Sequence, residues 1–167
     1  TRCSRDWSSD VCSSDLESWR RTQRHAPGEI DVFRRILVPL DGSALAEAAF
    51  GIATLLADPA GAQIRLLTVR PTDDDARVEA VDTLAAARER LAARWSGPIS
   101  THVLEGNAVA GIQGEAVAWD ADLVAMTTHG RGGLARAWLG SVSDRFIRAT
   151  DRPVLVLRPP DRSEEHT

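Results

Sequence analysis

The chain has 167 residues, 43% hydrophobic and 26% charged, with a formal net charge of −4. That length suits one domain with a sizeable core, and the composition is that of a soluble, globular chain. The charge offers no general basic field for nucleic acid or anionic membrane, and no apolar run approaches the roughly 20 residues of a membrane-spanning helix.

The N-terminus is polar and lacks the apolar core of a signal peptide, so the expected location is the cytoplasm. Cys3 and Cys12 both fall near that end, so the rest of the chain supports no disulfide, thiol or cysteine–metal argument. Both ends read as foreign to the domain. Asp10-Val-Cys-Ser-Ser-Asp-Leu16 can be encoded by a DNA string whose reverse complement encodes Arg162-Ser-Glu-Glu-His-Thr167. Both strings resemble sequencing-library adapter DNA, so residues 1–16 and 162–167 are set aside from fold reasoning. Residues 17–33, with Arg20, Arg21, Arg24 and Pro27-Gly28, carry no clear periodicity and read as a leader or disordered segment. The domain is expected over residues 34–159, with 160–167 as a tail.

Residues 36–40, Ile-Leu-Val-Pro-Leu, are a short apolar run between Arg35 and Asp41-Gly42, the mark of a buried strand. Pro39 cannot donate to a ladder, so it belongs near that strand's end. Ser43 opens a helix whose Leu45, Ala49, Ile52, Ala53 and Leu56 share a face, and Asp58-Pro59 stops it. Residues 63–69 are the second strand, and Pro71 with Asp73-Asp74-Asp75 makes a loop. A long amphipathic helix follows over 78–95, with Val81, Leu84, Ala85, Arg88, Leu91 and Ala92 on one side. Gly97-Pro98 ends it, and residues 99–104 alternate as a third strand. Residues 107–119 form a third helix, weakened by Gly111 and Gly114. The fourth strand, 123–126, leads into a glycine-rich loop, a helix opening at Ser141 and a fifth strand at Val154–Leu157. Strands alternating with helices give an α/β fold, an open five-stranded parallel sheet covered on both faces.

The glycine-rich loop is the most informative stretch. Strand, glycine-rich loop, helix is an arrangement that binds phosphate. Glycines let backbone N–H groups approach an anion, and the helix turns its positive end towards it. Ser141 suits an N-cap, and Asp144 completes a capping-box-like Ser-x-x-Asp. The same pattern also makes an ordinary tight turn. It is not a P-loop, which sets Lys before Ser or Thr; all 20 Lys-or-Arg residues here are arginine. Nor is it the G-x-G-x-x-G fingerprint, which follows the first strand of its unit. An aspartyl receiver domain is excluded as well, because its acidic pair, phosphoacceptor aspartate and lysine are missing.

Thr127-x-x-Gly130, nine residues, then Gly140-Ser141 resembles the G-x-x-G, nine residues, G-S/T signature of the ATP-binding universal stress proteins. Arg152-Pro-Val-Leu-Val-Leu-Arg158 is similar to that family's last strand, and Arg35-Ile-Leu-Val-Pro-Leu-Asp-Gly-Ser43 to its first strand and loop. Thr127 stands where the signature has its first glycine. The resemblance implies a Rossmann-like strand order of 3-2-1-4-5. Strands one and four then lie side by side, and their loops face each other. In open parallel sheets, ligands bind beyond the strands' carboxyl ends where the order reverses.

The resemblance further implies an ATP site, with magnesium arriving on the nucleotide. Pro39 and Asp41 match the adenosine-side loop, and Val69 lies near the adenine edge. Met126 and Thr127 match the ribose-side floor. Gly130, Gly140, Ser141 and Val142 match the phosphate side, and Arg131 can grip phosphate bidentately. Asp41 can meet a ribose hydroxyl or a phosphate-bound metal, or simply accept hydrogen bonds within a turn. If the first signature position needs a positive φ, Thr127 is strained there. If it needs only a small side chain, threonine fits and adds a hydroxyl.

No catalytic residue or structural metal is expected. His129 has no partner at metal-ligand spacing, His102 lies in an apolar strand, and Asp120 and Asp122 look like turn residues. The implied function is ATP binding in stress response or signalling, with little or no hydrolysis. The implied partner is a second copy joined through the Val154–Leu157 strand, with no nucleic acid and no membrane. Two alternatives fit the residues: an adenine-nucleotide hydrolase, and a dimeric stress-response module that binds no nucleotide because Thr127 disables the site.

Overall fold

In the computed structural model of the chain, the described residues are 33–57, 61–72, 74–128 and 141–158. Five strands form one sheet in the order β3-β2-β1-β4-β5. They are β1 (Arg35–Pro39), β2 (Gln63–Arg70), β3 (Ile99–Glu105), β4 (Leu123–Thr127) and β5 (Val154–Leu157). All four pairings are parallel. A short 3-10 turn, Ala46–Ala48, runs into α1 (Ala49–Ala57), followed by α2 (Asp74–Ala92), α3 (Ala108–Ala118) and α4 (Ser141–Ala149). Strand order and direction are those expected.

The central strand explains its own sequence. β1 is covered on both sides, so it reads as a continuous apolar run rather than an alternation; Ile36, Leu37 and Val38 are all fully buried. Successive side chains go to opposite faces and build two cores. Ile36, Val38, Ile64, Leu66 and Ala125 meet Phe50 and Ala53 of α1 and Leu84 and Leu91 of α2. Leu37, Leu67, Val124 and Met126 meet Ile112 and Ala116 of α3 and Phe146 of α4. Phe50 and Phe146 are the bulkiest wholly buried side chains, one in each core. Burying such a side chain is worth about 1.5–3 kcal/mol.

Two helices bury faces that match the expected ones only in part: Ala49 and Ala53 of α1 and Leu84 and Leu91 of α2 are inside as expected, but other positions differ. Before α1 the chain makes a 3-10 turn, whose three residues per turn rotate the stripe. Phe50 is therefore inside, while Leu45 is 39% exposed. In α2, Ala80, Leu84, Ala87 and Leu91 face the sheet, whereas Val81 is exposed, as are Ala85 and Ala92. Side-chain size misleads here: small alanines inside let the helix lie close to the strands. α2 also begins a turn earlier than expected, at Asp74. It stops at Ala92, and Trp95 then packs into the first core.

Asp120 and Asp122 do more than turn the chain. Asp122 Oδ2 accepts hydrogen bonds from the backbone N–H groups of Arg34 and Arg35, both at 2.9 Å. Its own N–H donates to the Arg35 carbonyl at 2.9 Å. Asp120 has a φ of 52° and pairs with Arg35 at 3.4 Å and Arg152 at 3.1 Å. Together they fasten β1, β4 and the approach to β5 at the sheet's amino end.

Candidate functional site

Parallel strands put all their carboxyl ends on one rim. There β1 stands between β2 and β4: Pro39 is level with Leu67 on one side, and Leu37 with Val124 on the other. The strand order turns around between β1 and β4. The helices that follow these two strands consequently pack on opposite faces, α1 in the first core and α4 in the second. In open parallel sheets such a reversal is where ligands bind.

On one side of the reversal is the turn after β1. Gly42 has a φ of 81°, a conformation that strains any residue with a Cβ. Asp41 Oδ1 accepts from the Ser43 N–H at 2.9 Å and from the Ser43 hydroxyl at 2.6 Å. The Ser43 Oγ accepts in turn from the Ala46 N–H at 3.2 Å. Asp41 thus has the turn-holding role, and its carboxylate stays fixed at the rim. Pro39 ends β1, where its missing N–H breaks no ladder. The Leu40 N–H continues the pairing to the Leu67 carbonyl at 2.7 Å. Pro39, Asp41, Gly42 and Ser43 are all half-buried, directly above strand residues that solvent does not reach.

The Met126 side chain belongs to the second core and is 6% exposed. The Val69 side chain packs on α3, where a Cβ on Gly111 would come within 2.9 Å of it. Gly111, expected to weaken its helix, is instead what lets α3 approach β2. Thr127 ends β4, level with Leu157 of β5. Among the described residues, Asp120 is the non-glycine residue with positive φ, so Thr127 carries no such strain.

On the other side of the reversal, α4 follows β4. Ser141 and Val142 are exposed there, while Ser143 is buried beneath them. The first N–H groups of a helix lack intrahelical partners and carry its positive end. Ser141 is the first helical residue rather than the residue capping it. The carboxylate of Asp144 is held by Arg148 Nε at 3.1 and 3.2 Å, one turn on, so the expected Ser-x-x-Asp box is not its arrangement. Gly130, Arg131 and Gly140, with His129 and Arg136, lie outside the described residues.

A polar cluster that the sequence reading passed over lies under α3. Glu115, 5% exposed, is bound by Arg65 Nη1 at 2.7 Å and paired with His102 Nδ1 at 2.8 Å. Arg65 also donates to the Ser100 Oγ at 3.0 Å and stacks on the Trp119 ring at 4.4 Å. Burial alone pushes the Glu115 carboxyl up, but the hydrogen bonds and charges of Arg65 and His102 together outweigh it, so the net displacement is downward. The available signal was a polar residue interrupting each of three apolar stripes. Arg65 and Ser100 sit in the amino-terminal halves of β2 and β3, so the cluster braces the sheet away from the rim. Among the described residues, no group of three or more His, Cys, Asp or Glu residues could hold a metal ion. No described helix is long and apolar enough to cross a membrane.

Several known proteins share this architecture. Over 74 residues the chain is 39% identical to universal stress protein MJ0531 of Methanocaldococcus jannaschii. That match spans 44% of each chain, less than half of the relative's length. The fold is similar to that of hypothetical protein MJ0577, with a TM-score of 0.69 at 20% identity, covering 78% of this chain and 99% of that one. It is also similar to a universal stress protein solved with cAMP, with a TM-score of 0.64 at 23% identity, covering 76% and 98%. A third likeness is to the universal stress protein from Archaeoglobus fulgidus solved with dAMP, with a TM-score of 0.62 at 22% identity, covering 75% and 98%. The sequence profile of the universal stress protein family matches residues 33–158, and the chain belongs to that family.

Proposed function

We propose that the chain binds an adenine nucleotide, ATP with magnesium, in the crevice between the turn after β1 and the start of α4. What supports this reading is the strand order, which reverses between β1 and β4, so that the turn carrying Asp41 and the exposed Ser141 end of α4 follow neighbouring strands. A helix N-terminus suits phosphate, and a fixed carboxylate suits a ribose hydroxyl or a phosphate-bound magnesium ion. Gly130, Arg131, Gly140, Ser141 and Val142 belong to the phosphate side of this reading. Pro39, Val69, Met126 and Thr127 line the nucleoside side. Val69 and Met126 contribute their backbone, because their side chains are engaged in packing. The adenine nucleotides solved with two relatives, cAMP and dAMP, support the choice of base.

The role is binding and signalling in a stress response, with hydrolysis slow at most. β5 is an edge strand whose Val154–Leu157 side chains are all partly exposed, which supports pairing with a second copy through that edge. Calorimetric titration with Mg-ATP tests the main reading. Measurable heat and a raised melting temperature are expected, both reduced in Asp41→Asn. A flat titration with no thermal shift overturns the reading. Steady phosphate release at purified stoichiometry would instead make the chain a hydrolase. Sedimentation at twice the chain mass tests the pairing.

A further inference from the structure

Arg70 ends β2 on the same rim, three residues past Leu67, which is itself level with Pro39. By alternation it shares the side of Ile64 and Leu66, towards α2. Its Nε and Nη2 atoms are removed from solvent, and neither has a hydrogen-bond partner among the described residues. These two nitrogens form one edge of the guanidinium plane, the edge that grips two oxygens at once. The same molecule shows that edge at work elsewhere: Arg90 Nε and Nη2 hold the two carboxylate oxygens of Glu47 at 2.9 and 2.6 Å. Glu105 is level with Arg70 on β3 yet lies 3.9 Å from Arg77 of α2 in an ion pair of its own.

A buried guanidinium edge without an acceptor is costly, and buried polar groups in folded proteins are nearly always matched. The orphan edge sits at the ligand rim but two strands from α4. Adjacent strands lie about 4.8 Å apart, so β2 and β4 are roughly 10 Å apart across the sheet, and the Arg70 side chain is on the face opposite the one α4 covers. We propose that Arg70 is a second, separate anion subsite, which takes a two-oxygen group, phosphoryl or carboxylate, of a small-molecule ligand. This subsite does not depend on the nucleotide reading.

The test uses the full chain, with inorganic phosphate and succinate as probes at matched ionic strength. Arg70→Met keeps the stem and removes the edge. Arg70→Lys keeps the charge and cannot fork. The Met variant is expected to melt above the wild type when no probe is present, because an uncompensated charge is gone. At least one probe raises the wild-type melting temperature but not that of Arg70→Met. Arg70→Lys binds that probe about tenfold more weakly or worse, as loss of a charge-assisted pair predicts. Phosphate as the active probe assigns a phosphoryl ligand, and succinate assigns a carboxylate. Equal shifts in wild type and Arg70→Met overturn the proposal. So does a Met variant that melts lower, the result given by an acidic group of the chain that already matches the edge. Asp41→Asn, which weakens Mg-ATP on the nucleotide reading, leaves the probe response intact, so the two readings fail separately.

Discussion

The two ends of the sheet are made by the same five strands and finished in opposite ways. At the amino end, side-chain charges clasp neighbouring strands: Asp122 takes two backbone N–H groups of the β1 approach, and Asp120 joins Arg35 to Arg152. At the carboxyl end, the Asp41 carboxylate closes a local turn, a helix begins in the open at Ser141, and the Arg70 guanidinium edge is unmatched among the described residues. The contrast teaches a division of labour. Polar groups satisfied across strands hold the frame, and polar groups left near the surface at the rim are available for binding.

That contrast can be broken most forcefully at Glu115. Replacing it by alanine strands Arg65 and His102 around an emptied site, and urea denaturation is expected to register a loss of about 3 kcal/mol. Mg-ATP affinity should be unmoved. Asp122→Ala strips two backbone N–H groups of their acceptor, with an expected cost of about 2 kcal/mol in the same measurement. Asp41→Asn should do the reverse. It leaves stability nearly unchanged, since an amide oxygen can still hold the turn, and weakens Mg-ATP about tenfold by calorimetry, roughly 1.4 kcal/mol. A stability loss at Asp41 larger than that at Asp122 would collapse the distinction.

Smaller effects sharpen it. Gly111→Ala sets a Cβ against Val69 at 2.9 Å. Overpacking costs about 1–3 kcal/mol and alanine's better helix propensity returns about 1, so a net loss near 1 kcal/mol is expected. The gentlest probe is acid. The Glu115 carboxyl is displaced downward in the folded state. Its contribution is therefore complete above the unfolded value, about 4.3, and is lost as pH falls through the lower folded value. Glu115→Gln should flatten the acid limb of a stability–pH curve in that window alone.

Much of the fold was legible because hydrophobic runs and their breakers report strands directly. The apolar run at Ile36, Leu37 and Val38 and the edge strand Val154–Leu157 needed no tertiary information. What misled was geometry that spacing does not carry. A 3-10 turn before α1 exchanged Leu45 for Phe50, and α2 hid alanines beneath the strands while showing Val81 to water. Asp41, Pro39 and Ser141 could be put on one rim from the strand order alone. Asp122, Glu115 and Arg70 could not, because their significance lies in partners far along the chain, or in the lack of one. Arg65 and Glu115, for example, are 50 positions apart.

The clasp on β1 is indifferent to spelling. Asp122 reads the main chain at positions 34 and 35, so either arginine can be exchanged for another residue without loosening that grip, provided the replacement is not proline, which brings no N–H. The aspartate has no such latitude. Mutational drift should therefore run freely at residue 34, be restrained at residue 35 by its separate pairing with Asp120, and stall at residue 122, an asymmetry that a saturation library across the three positions would lay open.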